Sequence, residues 1–166
     1  MQIQSIVQWM SEYNLNHYII THSYVWPTLE SLHFIGLCLL FGSLLFIDLR
    51  ALGLARMIPF SAVEPFILVS LIGFFINLAT GVAFLFGDPS RYFINPSFQL
   101  KMLCIILALL NALYFSLRMK KRRNADAIEQ GGNEVVMPLD MKLAAGVSLA
   151  LWIAVIVFGR LIPYVE

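Results

Sequence analysis

The chain has 166 residues, of which 60% are hydrophobic and 13% charged, with a formal net charge of +1 and a mean hydropathy of +0.80. Soluble domains are typically about half apolar and a quarter charged, so this composition argues against a soluble globular protein. The length and the long apolar blocks instead favour a single integral membrane domain, residues 1–166.

The first segment along the chain, residues 3–20, predicts a short amphipathic helix lying on a membrane surface. Its apolar residues recur at helical spacing, at Ile3, Ile6, Val7 and Met10. Aromatic residues in and after it fit the belt found at membrane interfaces: Trp9, Tyr13, Tyr18, Tyr24 and Trp26. No Lys or Arg precedes Arg50, so we expect no signal peptide here and a mature protein that keeps these residues.

Four later blocks are long enough to cross a bilayer core, which takes about 20 helical residues. Only helices or closed barrels satisfy the backbone in lipid, and these blocks lack the alternation of barrel strands. The expected spans are Trp26–Ile47, Ala62–Phe86, Phe98–Leu117 and Met141–Ile162. The sequence therefore predicts an all-α protein, a four-transmembrane-helix bundle preceded by an interfacial helix, with a polar cytoplasmic loop at 119–139.

The basic residues predict the orientation of the spans. Eight of the eleven Lys and Arg residues lie on one side, in the first and third loops or at their edges. Under the positive-inside rule this side is cytoplasmic, so both termini lie outside, which in a bacterium means the periplasmic side of the inner membrane. The run Lys120–Arg123 fits this anchoring role, and we expect no nucleic-acid partner.

Three spans carry a stripe of small and polar residues of the kind that membrane helices use to pack together. The stripes are His33, Gly36, Leu40 and Ser43 on the first span, Ser70, Gly73, Asn77 and Gly81 on the second, and Lys101, Cys104, Ala108 and Asn111 on the third. We expect these stripes to face inward, with Asn77, Asn111 and the serines hydrogen-bonding between helices. The Leu, Ile and Phe faces should then meet the lipid bilayer.

His33 is the only histidine inside a predicted span, about 10 Å along the helix from Trp26. An ionisable residue at such a depth indicates a functional site, although a hydrogen bond to a neighbouring helix is an alternative. Neutral imidazole is a ligand for haem iron and for transition metals, and helix bundles commonly hold such cofactors. Gly36 would leave room for a flat macrocycle. The absence of a CxxCH motif excludes a covalent c-type haem.

Four further residues would complete a haem site. Glu30, one turn above His33, would orient or tune it. Lys101, Arg160 and Arg91 lie at the same outer level and would hold the haem propionates or an anionic substrate. For Lys101 and Arg160, snorkelling to the lipid headgroups is an equal alternative.

At the opposite end of the first span, Asp48 and Arg50 would pair with each other or cap the helix. Neither residue is assigned a role in cofactor binding, and both are expected to be structural.

Two segments carry a family resemblance: "ESLHFIGLCLLFGSLLFIDLRALGL" and "NPSFQLKMLCIILALLNALYFSLR". With "GRLIPY" at 159–164, they resemble a family of small bacterial four-span membrane proteins, which implies the same fold. More distantly, the chain is similar to the haem-containing membrane protoporphyrinogen oxidase. That similarity implies that His33 is a haem ligand and that Lys101 assists chemistry or binds a carboxylate. In copper-resistance D-like domains, a third similar group, Lys101 and Asn111 match loosely.

The leading hypothesis is a b-type haem-binding membrane protein with a redox or porphyrin-related role, whose partner would be a porphyrin or a redox protein. A second hypothesis is a carrier or sensor of copper or another metal ion, in which Cys38, Met102 and Cys104 join His33. A third is a cofactor-free accessory subunit. The sequence assigns no catalytic residue and leaves open both the oligomeric state and whether the protein is an enzyme.

Overall fold

The computed structural model describes residues 2–55, 57–59, 62–126 and 137–165. These residues form α-helices and a final 3-10 turn, with no β-strand among them, so the all-α class is confirmed. The helices are α1 (Gln2–Glu12), α2 (Asn14–Thr21), α3 (Val25–Leu52), α4 (Glu64–Gly87), α5 (Pro89–Ile94), α6 (Pro96–Asp126) and α7 (Leu139–Leu161), followed by the turn Ile162–Tyr164.

Helices α3, α4, α6 and α7 are each long and apolar enough to cross a membrane, as expected of a multi-pass membrane protein. The four predicted spans fall on these four helices. Helix α3 stops at Gly53, whose backbone is left-handed at φ 87° and whose N–H bonds back to Arg50. Glycine is the usual residue at such a C-terminal cap because it has no Cβ to clash.

The predicted loop 119–139 is only partly a loop. Helix α6 continues to Asp126, because the Lys and Arg residues that follow Met119 are good helix formers with no breaker among them. Residues 127–136 lie outside the described part of the chain. Helix α7 begins at Leu139, after Pro138 in an extended conformation.

The N-terminal segment differs from the prediction of one helix over 3–20. It forms two helices, α1 and α2, separated at Tyr13, and both pack onto the end of α4. The Asn16 side chain is buried and its Nδ2 donates to the carbonyls of Phe86 (2.7 Å) and Gly87 (3.3 Å). These are orphan carbonyls at the C-terminus of α4, so Asn16 fastens α2 to that helix end.

We expect Asn16→Ala to loosen α1 and α2 while leaving the four long helices folded. Leaving two helix-end carbonyls without their donor should cost about 1–3 kcal/mol. Amide hydrogen exchange would show faster exchange in residues 2–21, against Asn14→Ala, an exposed position on the same helix, as the control. Equal exchange in the two variants would contradict the anchoring role.

The four long helices are packed unequally. Helix α3 runs along α4 and against α7, and α6 runs along α7. The closest approach joins α3 and α4, where a Cβ added to Gly73 would lie 2.5 Å from the backbone nitrogen of Leu40 and 2.7 Å from the carbonyl oxygen of Gly36. Over the described residues, α4 and α6 do not pack along each other.

The stripes predicted to face inward are confirmed on α3 and α6. A core cluster joins Leu40 of α3, Ala108 of α6, and Trp152 and Val155 of α7. On α4 the prediction is wrong at Gly81, because a Cβ there would meet no atom within 4 Å. The stripe instead continues through Thr80, which is buried.

The predicted hydrogen bonds between helices form at one position and not at others. The Asn111 amide donates to the carbonyl of Ala144 on α7, at 2.9 Å. The Asn77 amide instead donates to Gly73 of its own helix, at 2.9 Å, and the Ser70 hydroxyl to Ile67, at 2.8 Å.

The bundle has two distinct ends. At the end that we call the α5 end lie the start of α3, the end of α4, α5, the start of α6 and the end of α7. Buried Asn95, between α5 and α6, joins them to the segment after α7, since its Nδ2 donates to the carbonyls of Ile162 (2.9 Å) and Val165. Its Oδ1 accepts from the backbone of Ser97 at 2.9 Å, which caps α6. The opposite end, which we call the Arg50 end, carries Arg50 and the basic C-terminal part of α6.

Candidate functional site

His33 lies on α3 near the α5 end and is partly buried between helices. Its Nδ1 is 2.7 Å from Oγ1 of Thr80 on α4, and its ring meets the Phe84 ring edge-on with 5.4 Å between centroids. Both contacts come from α4, because Thr80 and Phe84 are one turn apart on the face turned toward α3. The ring is therefore held in one orientation.

The Thr80 hydroxyl also fixes which ring nitrogen of His33 carries the proton. Its single proton is used within α4, where Oγ1 donates to the carbonyl of Ile76 at 2.7 Å. If this proton is shared with Ile76, the same oxygen accepts toward His33, and on that basis we assign the proton to Nδ1. Nε2 is left with an open lone pair, and no described group bonds to it. A neutral imidazole held in this way is the form that binds iron or another metal.

Lys101 of α6 reaches the same region. It is close enough to His33 for the two groups to interact electrostatically. A Cβ on Gly159 of α7 would lie 3.3 Å from its Nζ and 3.6 Å from its Cδ and Cε, so the side chain extends along the backbone of α7 at this glycine. Lys101 thus packs within the bundle, which disfavours the snorkelling alternative.

Aromatic rings from α5 and α6 lie beside this pair. Tyr92 of α5 stacks on Phe84 (6.5 Å between centroids) and meets Phe98 of α6 edge-on (5.5 Å). Tyr92 therefore bridges the space between α4 and α6 at the α5 end. Burial raises the pKa of the Tyr92 hydroxyl; the charge of Arg91 opposes this rise, and the carboxylates of Asp88 and Glu30 add to it.

Glu30 does not take the role that the sequence suggested. Its Oε1 accepts a hydrogen bond from Nε1 of Trp26, at 3.1 Å, at an exposed position. Thr80, rather than Glu30, orients His33.

The room expected beside Gly36 is filled by α4. A Cβ at this position would lie 2.6 Å from Nδ2 of Asn77, 2.8 Å from Cγ2 of Ile76 and 3.1 Å from the carbonyl oxygen of Gly73. The glycine therefore serves helix packing, and a flat macrocycle does not fit there. A haem could use His33, but not the space beside Gly36.

The two arginines of the predicted site lie at the surface of the α5 end. Arg160 donates to the hydroxyl of Tyr164 at 3.3 Å, and its guanidinium stands over that ring at 5.6 Å from the centroid. Arg91 lines a shallow cleft of about 570 Å³ that also includes Asp88 and Val165. Among the described residues, neither arginine forms a hydrogen bond with His33.

The described residues show no cluster of metal-binding side chains that would support the copper hypothesis. In the described part of the chain, no cluster of three or more His, Cys, Asp or Glu side chains could hold a metal ion. Cys38 is exposed, whereas Cys104 packs against the core cluster.

The predicted pairing of Asp48 with Arg50 is replaced by separate partners. Nε of Arg50 donates to the carbonyl of Ile58, in the connection that follows α3. Asp48 is buried and interacts with Ser148 of α7. Asp48 thus faces the helix interface.

Thr80 and Tyr92 are the site residues that sequence reasoning missed. Thr80 lies seven positions after Gly73, so helical periodicity could have placed it on the same face. Tyr92 follows "GDPS" in what looked like a turn, and its position depends on the short helix α5, for which the sequence offers only weak evidence.

The arrangement combines an imidazole nitrogen without a hydrogen-bond partner among the described residues, a lysine side chain and a chain of aromatic rings that begins at Phe84. Such a site can bind a metal centre at His33 and a carboxylate at Lys101. No family model, no curated protein and no solved structure matches the chain.

Proposed function

We propose that this protein is a multi-pass protein of the bacterial inner membrane that binds haem b through His33. We further propose membership of the bacterial four-span family that its "ESxH…G…DLRxLG" and "LKM…LNA" segments resemble. Its role would be redox or porphyrin-related, and haem supplies one-electron chemistry when bound.

The membrane placement is supported by the four long apolar helices and by the distribution of charge and aromatic rings. Basic residues concentrate at the Arg50 end, which we assign to the cytoplasm, so the α5 end faces the periplasm. Trp9 and Tyr24 are 58% and 60% exposed near the α5 end, as expected of side chains in the headgroup region. On this view, α1 and α2 lie in the interface.

The observation that carries the haem proposal is the hydrogen bond between Nδ1 of His33 and Oγ1 of Thr80. Histidine ligands of metals commonly donate their other ring N–H to a fixed acceptor, which sets the tautomer and the ring orientation. His33 has this arrangement, and its Nε2 is unpartnered among the described residues.

Lys101 would hold a propionate, because its ammonium lies near His33 and its side chain is held along Gly159. Arg91 and Arg160, at the surface of the same end, would hold the other propionate or an anionic substrate. Since Gly36 is covered by α4, the porphyrin would lie on the α6 side of His33, where α4 and α6 are not packed along each other.

The test is an absorption spectrum with metal analysis of protein purified in detergent from haem-replete cells. We expect a Soret band that disappears in His33→Ala and persists in His17→Ala, a variant at an exposed histidine of α2. A colourless wild-type protein, or a band unchanged in His33→Ala, would overturn the proposal. Stoichiometric copper without porphyrin absorbance would favour the metal carrier instead.

A further inference from the structure

Asp48 carries a buried carboxyl group that neither helix packing nor the proposed cofactor site requires. It lies on α3 toward the Arg50 end, one turn before the helix finishes, and is only 5% exposed. The polar side chain that interacts with it is Ser148 of α7, itself 9% exposed. The second oxygen, Oδ2, is buried without any hydrogen-bond partner among the described residues.

The charged groups on the surrounding helices are engaged elsewhere or face away. On α7, Asp140 accepts hydrogen bonds from Arg118 and Tyr114 of α6. Lys142 lies six residues before Ser148, about 120° around α7 from it.

At the Arg50 end, α3 and α4 each carry one further described charged group. Arg50 donates to the carbonyl of Ile58, and Glu64 is exposed at the first turn of α4. Among the described residues, no ion pair with Asp48 is found.

An ionised carboxylate in this position would have two oxygens that need hydrogen-bond donors. Only one donor among the described residues, the Ser148 hydroxyl, is near. An uncharged carboxyl needs fewer hydrogen-bond donors. One oxygen carries the proton and donates it to a hydroxyl, and the remaining carbonyl oxygen is only a weak acceptor. The Ser148 hydroxyl suits either form, since it can accept or donate. A bound metal cation is a poor alternative, because hard cations need about six or more oxygen ligands and this site offers two side chains.

We propose that Asp48 is a proton-binding site built into the α3–α7 interface. Its carboxyl is uncharged in the resting protein and exchanges its proton with solvent at the Arg50 end. This site is independent of His33, which lies near the other end of α3.

A hydrophobic carbodiimide such as dicyclohexylcarbodiimide tests the proposal, because it reacts with protonated carboxyl groups in apolar surroundings. The carboxyl proton passes to one carbodiimide nitrogen, and the carboxylate oxygen adds to the central carbon. The resulting O-acylisourea rearranges to a stable N-acylurea, so the labelled peptide gains the whole mass of the reagent and nothing leaves.

We expect the peptide that contains Asp48 to be labelled in detergent-purified protein, at least tenfold more than the peptide that contains Asp140. Asp140 is the internal control, since it is a carboxylate paired with Arg118. Labelling should decline as the pH is raised and be absent from Asp48→Asn, a variant of nearly the same shape whose fold is checked by circular dichroism.

Infrared difference spectroscopy between low and high pH provides a second measurement that needs no reagent access. The carbonyl band of a protonated carboxyl group should be lost in Asp48→Asn and kept in Asp140→Asn. The proposal is overturned if Asp48 and Asp140 are labelled alike and Asp48→Asn leaves the infrared difference unchanged. An Asp48 that is ionised and paired with a cation would give that result.

Discussion

Gly73→Ala is expected to lower the thermal stability of the protein strongly, because it forces apart the closest pair of helices. The added Cβ would lie 2.5 Å from the nitrogen of Leu40 and 2.7 Å from the carbonyl oxygen of Gly36. Both atoms belong to the backbone of α3, so no side chain can rotate away to make room. Overpacking of this kind costs about 1–3 kcal/mol, and a clash with backbone belongs at the upper end of that range.

The matched control is Gly81→Ala, on the same helix, where a new Cβ meets no atom within 4 Å. Alanine there should be neutral or should stabilise α4 by about 0.5–1 kcal/mol, because it is a better helix former than glycine. Thermal unfolding of the two variants in the same detergent gives the comparison. If Gly73→Ala unfolds at the wild-type temperature, the described contact between α3 and α4 is wrong.

The second large effect is expected for Thr80→Val, which keeps the shape of the side chain and removes its oxygen. His33 then loses the acceptor for Nδ1–H, so its tautomer and ring orientation are no longer fixed. Removing the partner that orients a histidine ligand typically lowers metal affinity about 10–100-fold, and we expect a loss of that size in haem affinity. Haem titration into purified protein, followed by absorbance, would measure it.

Thr80→Ser is the control, since it keeps the hydroxyl and should keep most of the affinity. The ¹⁵N chemical shifts of the His33 ring provide a readout that does not depend on haem. Thr80→Val should show a mixture of tautomers, whereas wild type and Thr80→Ser should show mostly the form protonated on Nδ1. Identical ring shifts in all three proteins would rule out the role assigned to Thr80.

The sequence predicted the positions of the long helices well, because hydrophobic length and turn residues act locally. It also identified the inward faces of α3 and α6, where Gly36, Leu40 and Ala108 repeat at helical spacing. The choice between Gly81 and Thr80 on α4 could not be made in the same way. Both positions fit a helical repeat, and the crossing of α3 over α4, which sequence does not give, decides which one is covered.

The candidate site was predicted less completely than the fold. His33 and Lys101 stood out, because ionisable groups are rare in apolar segments. Their partners depend on contacts between helices distant in sequence, so Thr80 and Tyr92 were missed, and the hydrogen bond from Trp26 to Glu30 was not foreseen. Asp48 and Arg50 looked like a natural pair two residues apart, yet neighbours at that spacing point to different sides of a helix.

The glycine contact between α3 and α4 also bears on how the chain assembles in the cell. Gly36 and Gly73 belong to consecutive helices, and the nearest atoms at their close approach come from α3 and α4 alone. A ribosome completes this helical hairpin well before the rest of the bundle exists. The first two spans, α3 and α4, can therefore pack together early. Leu40 and Asp48 are then part of a preformed surface, onto which α7 docks after it leaves the ribosome.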